Sequence, residues 1–142
     1  TNVAQVLQDK IEQTTFTTSP EATVLEAISL MANKGIGAAA VTDQDKVVGI
    51  LSERDYTRKV ILMERTSKET TVSEIMTAKV LTVTKSNSVE DCLDLMTDRH
   101  LRHLPVVEND KLIGLISIGD LVKVVMEDQR KLIDQLQQYI AS

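Results

Sequence analysis

Two serine–aspartate pairs carry the sharpest chemical signal in this chain: Ser52 with Asp55, and Ser117 with Asp120. Each follows an apolar run that opens on a glycine, Gly49-Ile50-Leu51-Ser52 and Gly114-Leu115-Ile116-Ser117, and each precedes an apolar helical pattern. A serine with an acid three residues on is a good helix start, the hydroxyl taking an orphan N–H and the acid favouring the positive end of the dipole. A carboxylate at that junction can also accept both hydroxyls of a ribose diol, while the free N–H groups of the helix start suit a phosphate. Capping alone does not explain why both copies end the same Gly-apolar-apolar-Ser run at the same register. Arg102 and His103 add basic side chains at the head of the run before the second pair. The plainer reading makes residues 99–103 a basic helix C-terminus favoured by the macrodipole. Lys34 at the equivalent earlier place supports that for Arg99 but not for His103.

Catalysis is not indicated. No nucleophile–base pair, metal set or P-loop glycine pattern occurs, and both histidines, His100 and His103, lie in one short segment. A zinc set of Cys92, His100 and His103 can be drawn on paper, but Cys92 aligns with Ala27 on an apolar helix face and reads as core. The expectation is therefore no catalytic residue and no metal.

The elements that must position these residues follow from periodicity. Val3, Val6 and Leu7 suit a short helix, residues 11–15 a polar connection, and Phe16-Thr17-Thr18 a short strand. Thr23 and Glu26 form a capping-box pattern before a helix whose apolar face holds Val24, Ala27, Ile28 and Met31, and Gly35 is a good stop for it. Residues 36–41 and 47–51 make a hairpin, a second helix spans about 53–63, and residues 64–71 read as a linker. The same order then recurs. Adding 65 to each position from 16 to 61 reaches 81 to 126 without a gap, pairing Thr17/Thr82, Met31/Met96, Val41/Val106, Gly49/Gly114, Ser52/Ser117 and Asp55/Asp120. The leading helix recurs too, with Val3, Val6 and Leu7 matching Val72, Ile75 and Met76 after four extra residues in the first copy. Caps, core faces and hairpin loops all stay in phase, so this is an internal repeat.

Each unit reads strand–helix–strand–strand–helix, a three-stranded sheet with helices on one face and the other face open. Two such sheets bury their open faces against each other. Ala38, Ala39 and Ala40 are poor strand formers and are assigned to a strand only through their alignment with His103, Leu104 and Pro105. Pro105, with no N–H, belongs at a strand start or on an edge. Beyond Met126 an apolar stripe of Leu132, Ile133, Leu136, Tyr139 and Ile140 continues to the end of the chain. It suits a partner-binding helix better than a tail folded back on a small, already covered core.

Composition bounds the rest. The 142 residues, 42% hydrophobic and 26% charged, are those of a globular protein. A net charge of −5 argues against broad binding to nucleic acid or an anionic membrane. No apolar run is long enough for a membrane span, no signal-peptide pattern opens the chain, and the single cysteine fits a reducing compartment, so a cytoplasmic location is expected. Aromatics are limited to Phe16, Tyr56 and Tyr139, so a flat ligand would be gripped mainly by aliphatic side chains and backbone.

The tandem resembles a pair of CBS domains, a Bateman module named after cystathionine β-synthase. The matching stretches are Ile36-Gly37-Ala38-Ala39-Ala40-Val41 with Gly49-Ile50-Leu51-Ser52-Glu53-Arg54-Asp55, and Leu101-Arg102-His103-Leu104-Pro105-Val106-Val107 with Gly114-Leu115-Ile116-Ser117-Ile118-Gly119-Asp120. The lead-in Val72-Ser73-Glu74-Ile75-Met76-Thr77 fits as well, and only the C-terminal tail falls outside the resemblance.

The resemblance implies an α+β fold of two CBS repeats packed sheet to sheet with pseudo-two-fold symmetry, plus an extended C-terminal helix. The units would be residues 1–64 and 72–129, a linker at 65–71 and an extension at 130–142. It further implies a regulatory sensor that binds an adenosine-containing ligand (AMP, ADP, ATP, NAD or S-adenosylmethionine) between the repeats. Asp55 and Asp120 would hold ribose, and Ser52 and Ser117 ribose or phosphate. Thr17, Thr18, Ile36 and Ala38 in one copy, and Thr82, Val83, Leu101 and Leu104 in the other, would enclose the base. Arg102 and His103, just before Pro105, would bind phosphates; Gly37 and Ala38 replace them in the first copy, where either Arg54 substitutes, the cleft takes a ligand with less charge, or the site is empty. One principal site near Asp120 or Asp55 is expected rather than two equal ones. A homodimer and a protein effector are the implied partners, some stand-alone members of the class being associated with thioredoxins. The alternative is a dimerisation or interaction scaffold with a vestigial cleft.

Overall fold

The computed structural model describes residues 1–10 and 15–141. All but Thr15 of the polar connection expected at 11–15 lies outside the described residues, as does Ser142. The first repeat holds β1 (Thr17–Thr18), α2 (Val24–Lys34), β2 (Ala38–Asp43), β3 (Lys46–Ser52) and α3 (Glu53–Tyr56), with the leading helix α1 (Val3–Asp9) before it. The second holds α4 (Val72–Ile75), α5 (Val89–Arg99), β4 (His103–Glu108), β5 (Lys111–Ser117) and α6 (Ile118–Ala141). α3 passes into a π-helical turn, Thr57–Ile61, where an ordinary helix to residue 63 is expected.

Strand order is β1-β2-β3, with β1 parallel and β3 antiparallel to β2. Both hairpins turn on two left-handed residues, Gln44-Asp45 and Asn109-Asp110, which matches the right-handed twist of the strands they join. In the second repeat the first strand shrinks to one bridge, Val83 with Val106. The cause is Pro105. It stands third in β4 rather than at its start, and its carbonyl accepts from Val83 N–H at 3.0 Å. Its backbone therefore faces the side where the parallel ladder needs an N–H, and proline has none to give.

The two cores exchange their leading helices. Val3 and Val6 of α1 are buried with Val89, Cys92, Met96, Leu104, Ile116 and Leu121 of the second repeat. Val72 and Ile75 of α4 are buried with Val24, Met31, Val41 and Leu51 of the first. Matching backbone bonds fix the exchange: Val3 N–H donates to Asn87 O and Val72 N–H to Ala22 O, each at 2.9 Å. Glycine makes room for it. A Cβ on Gly49 would sit 2.5 Å from Met76 Sδ, and one on Gly114 would sit 2.6 Å from Leu7 Cδ2. Fully burying such aliphatic side chains contributes roughly 1.5–3 kcal/mol each.

Ala39 and Val41 face the helices of the first core. By strand alternation Ala38 and Ala40, 2% and 0% exposed, face the other way, where β5 lies against β2 and β3. Small side chains are what let the two sheets approach. Leu104 and Val106 likewise face the second core, so His103 and Pro105 point toward the junction of the two repeats. Leu112 N–H donates to Asp45 O at 3.0 Å, tying the hairpins together. Beyond the second core α6 extends outward: residues 129–141 are all exposed, and the tail does not fold back.

Candidate functional site

Two clefts related by the internal repeat lie between the units, and each takes its walls from both. The Asp120 cleft, about 390 Å³, sets Ser117, Asp120 and Leu115 of the second repeat against Phe16, Ile36 and Ala38 of the first. The Asp55 cleft, about 550 Å³, sets Ser52, Asp55 and Ile50 of the first repeat against Leu81, Leu101 and Arg102 of the second. Gly37 and His103 line both. Volumes of this size suit a nucleoside-sized ligand.

Each aspartate is positioned by its own helix start. Asp55 N–H donates to Ser52 Oγ at 3.1 Å, while Asp55 Oδ2 accepts from Ser52 N–H at 3.1 Å and from Ser52 Oγ at 3.0 Å. Asp120 N–H donates to Ser117 Oγ at 3.1 Å, and its Oδ2 accepts from Ser117 N–H at 2.8 Å. The capping reading of the serine–aspartate pairs therefore holds in full, and one carboxylate oxygen of each pair is spent on it. The expected cap at Thr23 is only half made: Thr23 Oγ1 accepts from Glu26 N–H.

The remaining contacts of the two acids differ. Lys59, one helical turn on from Asp55, approaches Oδ1 at 3.3 Å and donates to Ile75 O at 2.9 Å, and it does not line the cleft. Asp120 is met from within its cleft: Lys10 Nζ is 3.0 Å from Oδ2 and donates to Leu115 O at 2.7 Å. His103 sits between the clefts. Burial pushes its imidazole below the usual histidine value; Asp120 pulls it up, and Lys10 and Arg102 push it further down.

The clefts gather Ile36, Gly37, Ala38, Ser52, Arg54, Asp55, Leu101, Arg102, His103, Ser117 and Asp120 from the residues expected by sequence. Thr17, Thr18, Thr82, Val83, Leu104 and Pro105 line neither. Val83 and Leu104 are core side chains, and Pro105 is buried. The positions that line the walls are one or two residues earlier, Thr15 and Phe16 in one cleft and their repeats Val80 and Leu81 in the other. Arg102 lines the Asp55 cleft and not that of Asp120 in its own repeat, so the basic strand head serves the opposite unit's acid. Lys10 and Lys79 were not expected. They correspond once the leading helices are aligned as Val3/Val72 and Leu7/Met76, and that alignment is the signal that points to them. Cys92 belongs to the second core, its thiol pushed up by burial and by Asp91, and no cluster of three metal-ligating side chains occurs among the described residues.

A tandem βαββα-type repeat with exchanged leading helices and two clefts shared between the units defines a Bateman-type pair. The chain belongs to the CBS-domain family: the CBS domain model matches residues 6–61 and again 72–127, and paired CBS domains act as regulatory modules. A CBS-domain protein of known structure from Burkholderia ambifaria MC40-6 is 56% identical, with a TM-score of 0.86 over 91% of this chain and 96% of that one. The mitochondrial CBS domain-containing protein CBSX3 of Arabidopsis thaliana is 41% identical over 123 residues, 83% of this chain but 60% of that protein, so the chain spans only part of it. The CBS domain pair of protein MJ0100, solved with 5′-methylthioadenosine and S-adenosyl-L-methionine, shares the fold at 22% identity, with a TM-score of 0.79 over 90% of this chain and 98% of that one. No helix among the described residues is long and apolar enough to cross a membrane.

Proposed function

We propose that this chain is a non-catalytic sensor that binds an adenosine-containing ligand such as AMP, ADP, ATP or NAD between its CBS repeats and passes occupancy to a protein partner. The observation that carries this is the shared construction of each cleft. A capped aspartate from one repeat faces apolar walls from the other, so a ligand that uses both must bridge the units and favour one angle between them. The Oδ1 of Asp120, outside its cap and its lysine contact, and the Oδ1 of Asp55, shared with Lys59, suit ribose hydroxyls, while Ile36, Phe16 and Ala38, or Leu81 and Leu101, suit a purine face. The adenosine ligands of MJ0100 support the ligand class.

Output runs through α6, where Met126, Leu132, Ile133, Leu136 and Ile140 are each more than half exposed along the helix. A second copy of the chain, giving a homodimer, or an effector protein covers that stripe. The exposed stripe also favours the alternative of an interaction scaffold whose clefts are unused.

Thermal melting with AMP, ATP, NAD and S-adenosylmethionine separates the two. A ligand at 100 times its Kd stabilises the fold by about 2.7 kcal/mol. The sensor reading expects such a shift with at least one of the four, and expects Asp55→Ala with Asp120→Ala to abolish it. No shift with any of them leaves the scaffold, which sedimentation of wild type against a chain ending at residue 129 then tests.

A further inference from the structure

The two clefts share a plan but not a charge. Arg54, Lys79 and Arg102 line the Asp55 cleft, and no described carboxylate lies within ion-pair distance of any of them. Its own carboxylates are Glu53 and Asp55, and Asp55 is tied to Lys59. Among the described residues the Asp120 cleft holds one such cation, Lys10, already engaged by Asp120 and Leu115 O. At matching positions of the repeat, three basic side chains become glycines: His100 answers to Gly35, Arg102 to Gly37 and Arg54 to Gly119.

We propose that the clefts divide ligand chemistry between them: the Asp55 cleft takes an adenosine bearing a 5′-phosphate, and the Asp120 cleft an adenosine whose 5′ substituent carries no phosphate. This rests on the adenosine reading of the clefts and adds which chemistry each one accepts. A phosphate brings between one and two negative charges and three acceptor oxygens. In the Asp55 cleft it meets guanidinium and ammonium groups that no described carboxylate pairs with, and guanidinium pairs with phosphate oxygens two at a time. In the Asp120 cleft the carboxylate and ammonium groups it meets among the described residues are Asp120 and the lysine already engaged by it, with His103, Ser117 and Thr15 as further polar groups beside the apolar surfaces of Leu7, Phe16 and Ile113. Those surfaces favour an uncharged alkyl or thioether substituent.

Isothermal titration of the full chain with AMP and with 5′-methylthioadenosine tests the division. Each is expected to bind one equivalent, and saturation with the thioether is expected to leave AMP affinity unchanged. Lys79→Ala with Arg102→Ala is expected to weaken AMP at least about tenfold while the thioether is unaffected, since each lost charge-assisted contact is worth about a factor of ten or more. Gly37→Arg supplies a gain of function. A Cβ at Gly37 meets nothing within 4 Å, so a side chain can start there without a clash, and the arginine should add a second AMP equivalent. AMP and the thioether displacing each other from one cleft, or AMP affinity that ignores Lys79 and Arg102, overturns the division while leaving the adenosine reading intact. No binding of either compound overturns both.

Discussion

The two repeats place the same backbone around different side chains, and the difference falls into two kinds. Where the repeats touch, the first uses Ala38 and Ala40 against His103 and Pro105 in the second. Where they line the clefts, glycines of one stand at the repeat positions of basic side chains of the other. Duplication thus sets the architecture, with both acids capped alike, while divergence sits at the strand heads and helix ends that line the clefts. A pair of identical repeats would give two identical clefts; among the described residues this pair gives one with three cations outside any ion pair and one whose single lysine is paired.

The largest effect expected from breaking the comparison lies in the cores. Leu104 is fully buried where the first repeat has Ala39. Leu104→Ala removes a side chain that its core cannot replace and should cost about 2–5 kcal/mol in urea unfolding. Ala39→Leu, the reverse change, overfills a site lined by the first core and should cost about 1–3 kcal/mol. Near-neutral results for both would mean that the two cores are interchangeable.

Next come the glycines beneath the exchanged helices. A Cβ at Gly114 meets only the flexible end of Leu7, whereas one at Gly49 also meets the backbone oxygen of Thr77 at 3.0 Å. That oxygen is fixed, because Thr77 and Ile50 exchange two hydrogen bonds of 2.9 and 3.0 Å. Gly49→Ala should therefore cost about 1–3 kcal/mol and Gly114→Ala less than about 1 kcal/mol. Equal melting shifts would show that the lead-in to the second repeat yields as easily as α1.

Much of this plan is legible in the sequence, and what is not has physical reasons. The repeat register, the hairpins and the Ser52/Asp55 and Ser117/Asp120 caps are local patterns, and local patterns survive in one dimension. The exchange of α1 and α4 is not local: Val3, Val6 and Leu7 are an apolar face that fits either unit, and only packing decides. The loss of the second repeat's first strand turns on a single missing N–H at Pro105, visible as a proline but not as a proline on the ladder side. Thr17 and Thr82 are displaced from the walls by Phe16 and Leu81 because a register of one residue decides which side chain faces a cleft. Lys10 and Lys79 look like solvated lysines until the exchanged helices carry them to the cleft mouths.

A smaller effect follows from the helix ends. Gly35 and His100 both adopt the left-handed conformation that ends their helices, with φ of 65° and 56°. Glycine does so freely, and a residue with a Cβ at a cost of about 1–2 kcal/mol, offset in part by the extra freedom glycine has when unfolded. His100→Gly should thus raise stability by up to about 1 kcal/mol while weakening AMP, since His100 lines the Asp55 cleft. Higher stability with unchanged AMP affinity would remove His100 from the ligand contacts and leave it only as a strained cap.

The finest distinction is one of pH, and it belongs to the second repeat alone, because Ala38 stands where His103 does. The groups that act on His103 are Asp120 from α6, Lys10 from the end of α1 and Arg102 beside it; together with burial they leave the folded imidazole below its unfolded value near 6.5. Between those two values the unfolded chain holds more protons than the folded one. The contribution of His103 to stability is therefore complete above about pH 6.5 and is lost as the pH falls through the folded value. The melting temperature should drop across that window in wild type, and less steeply in His103→Gln. A phosphate beside Arg102 and His103 favours the imidazolium against the burial that chiefly holds it neutral, so AMP binding should carry proton uptake. Titrations in buffers of different ionisation enthalpy read that uptake, and subtracting the His103→Gln value removes the part due to the phosphate's own ionisation. Equal uptake in both proteins would separate His103 from the anion and leave Arg54, Lys79 and Arg102 as the whole of the charge difference between the clefts.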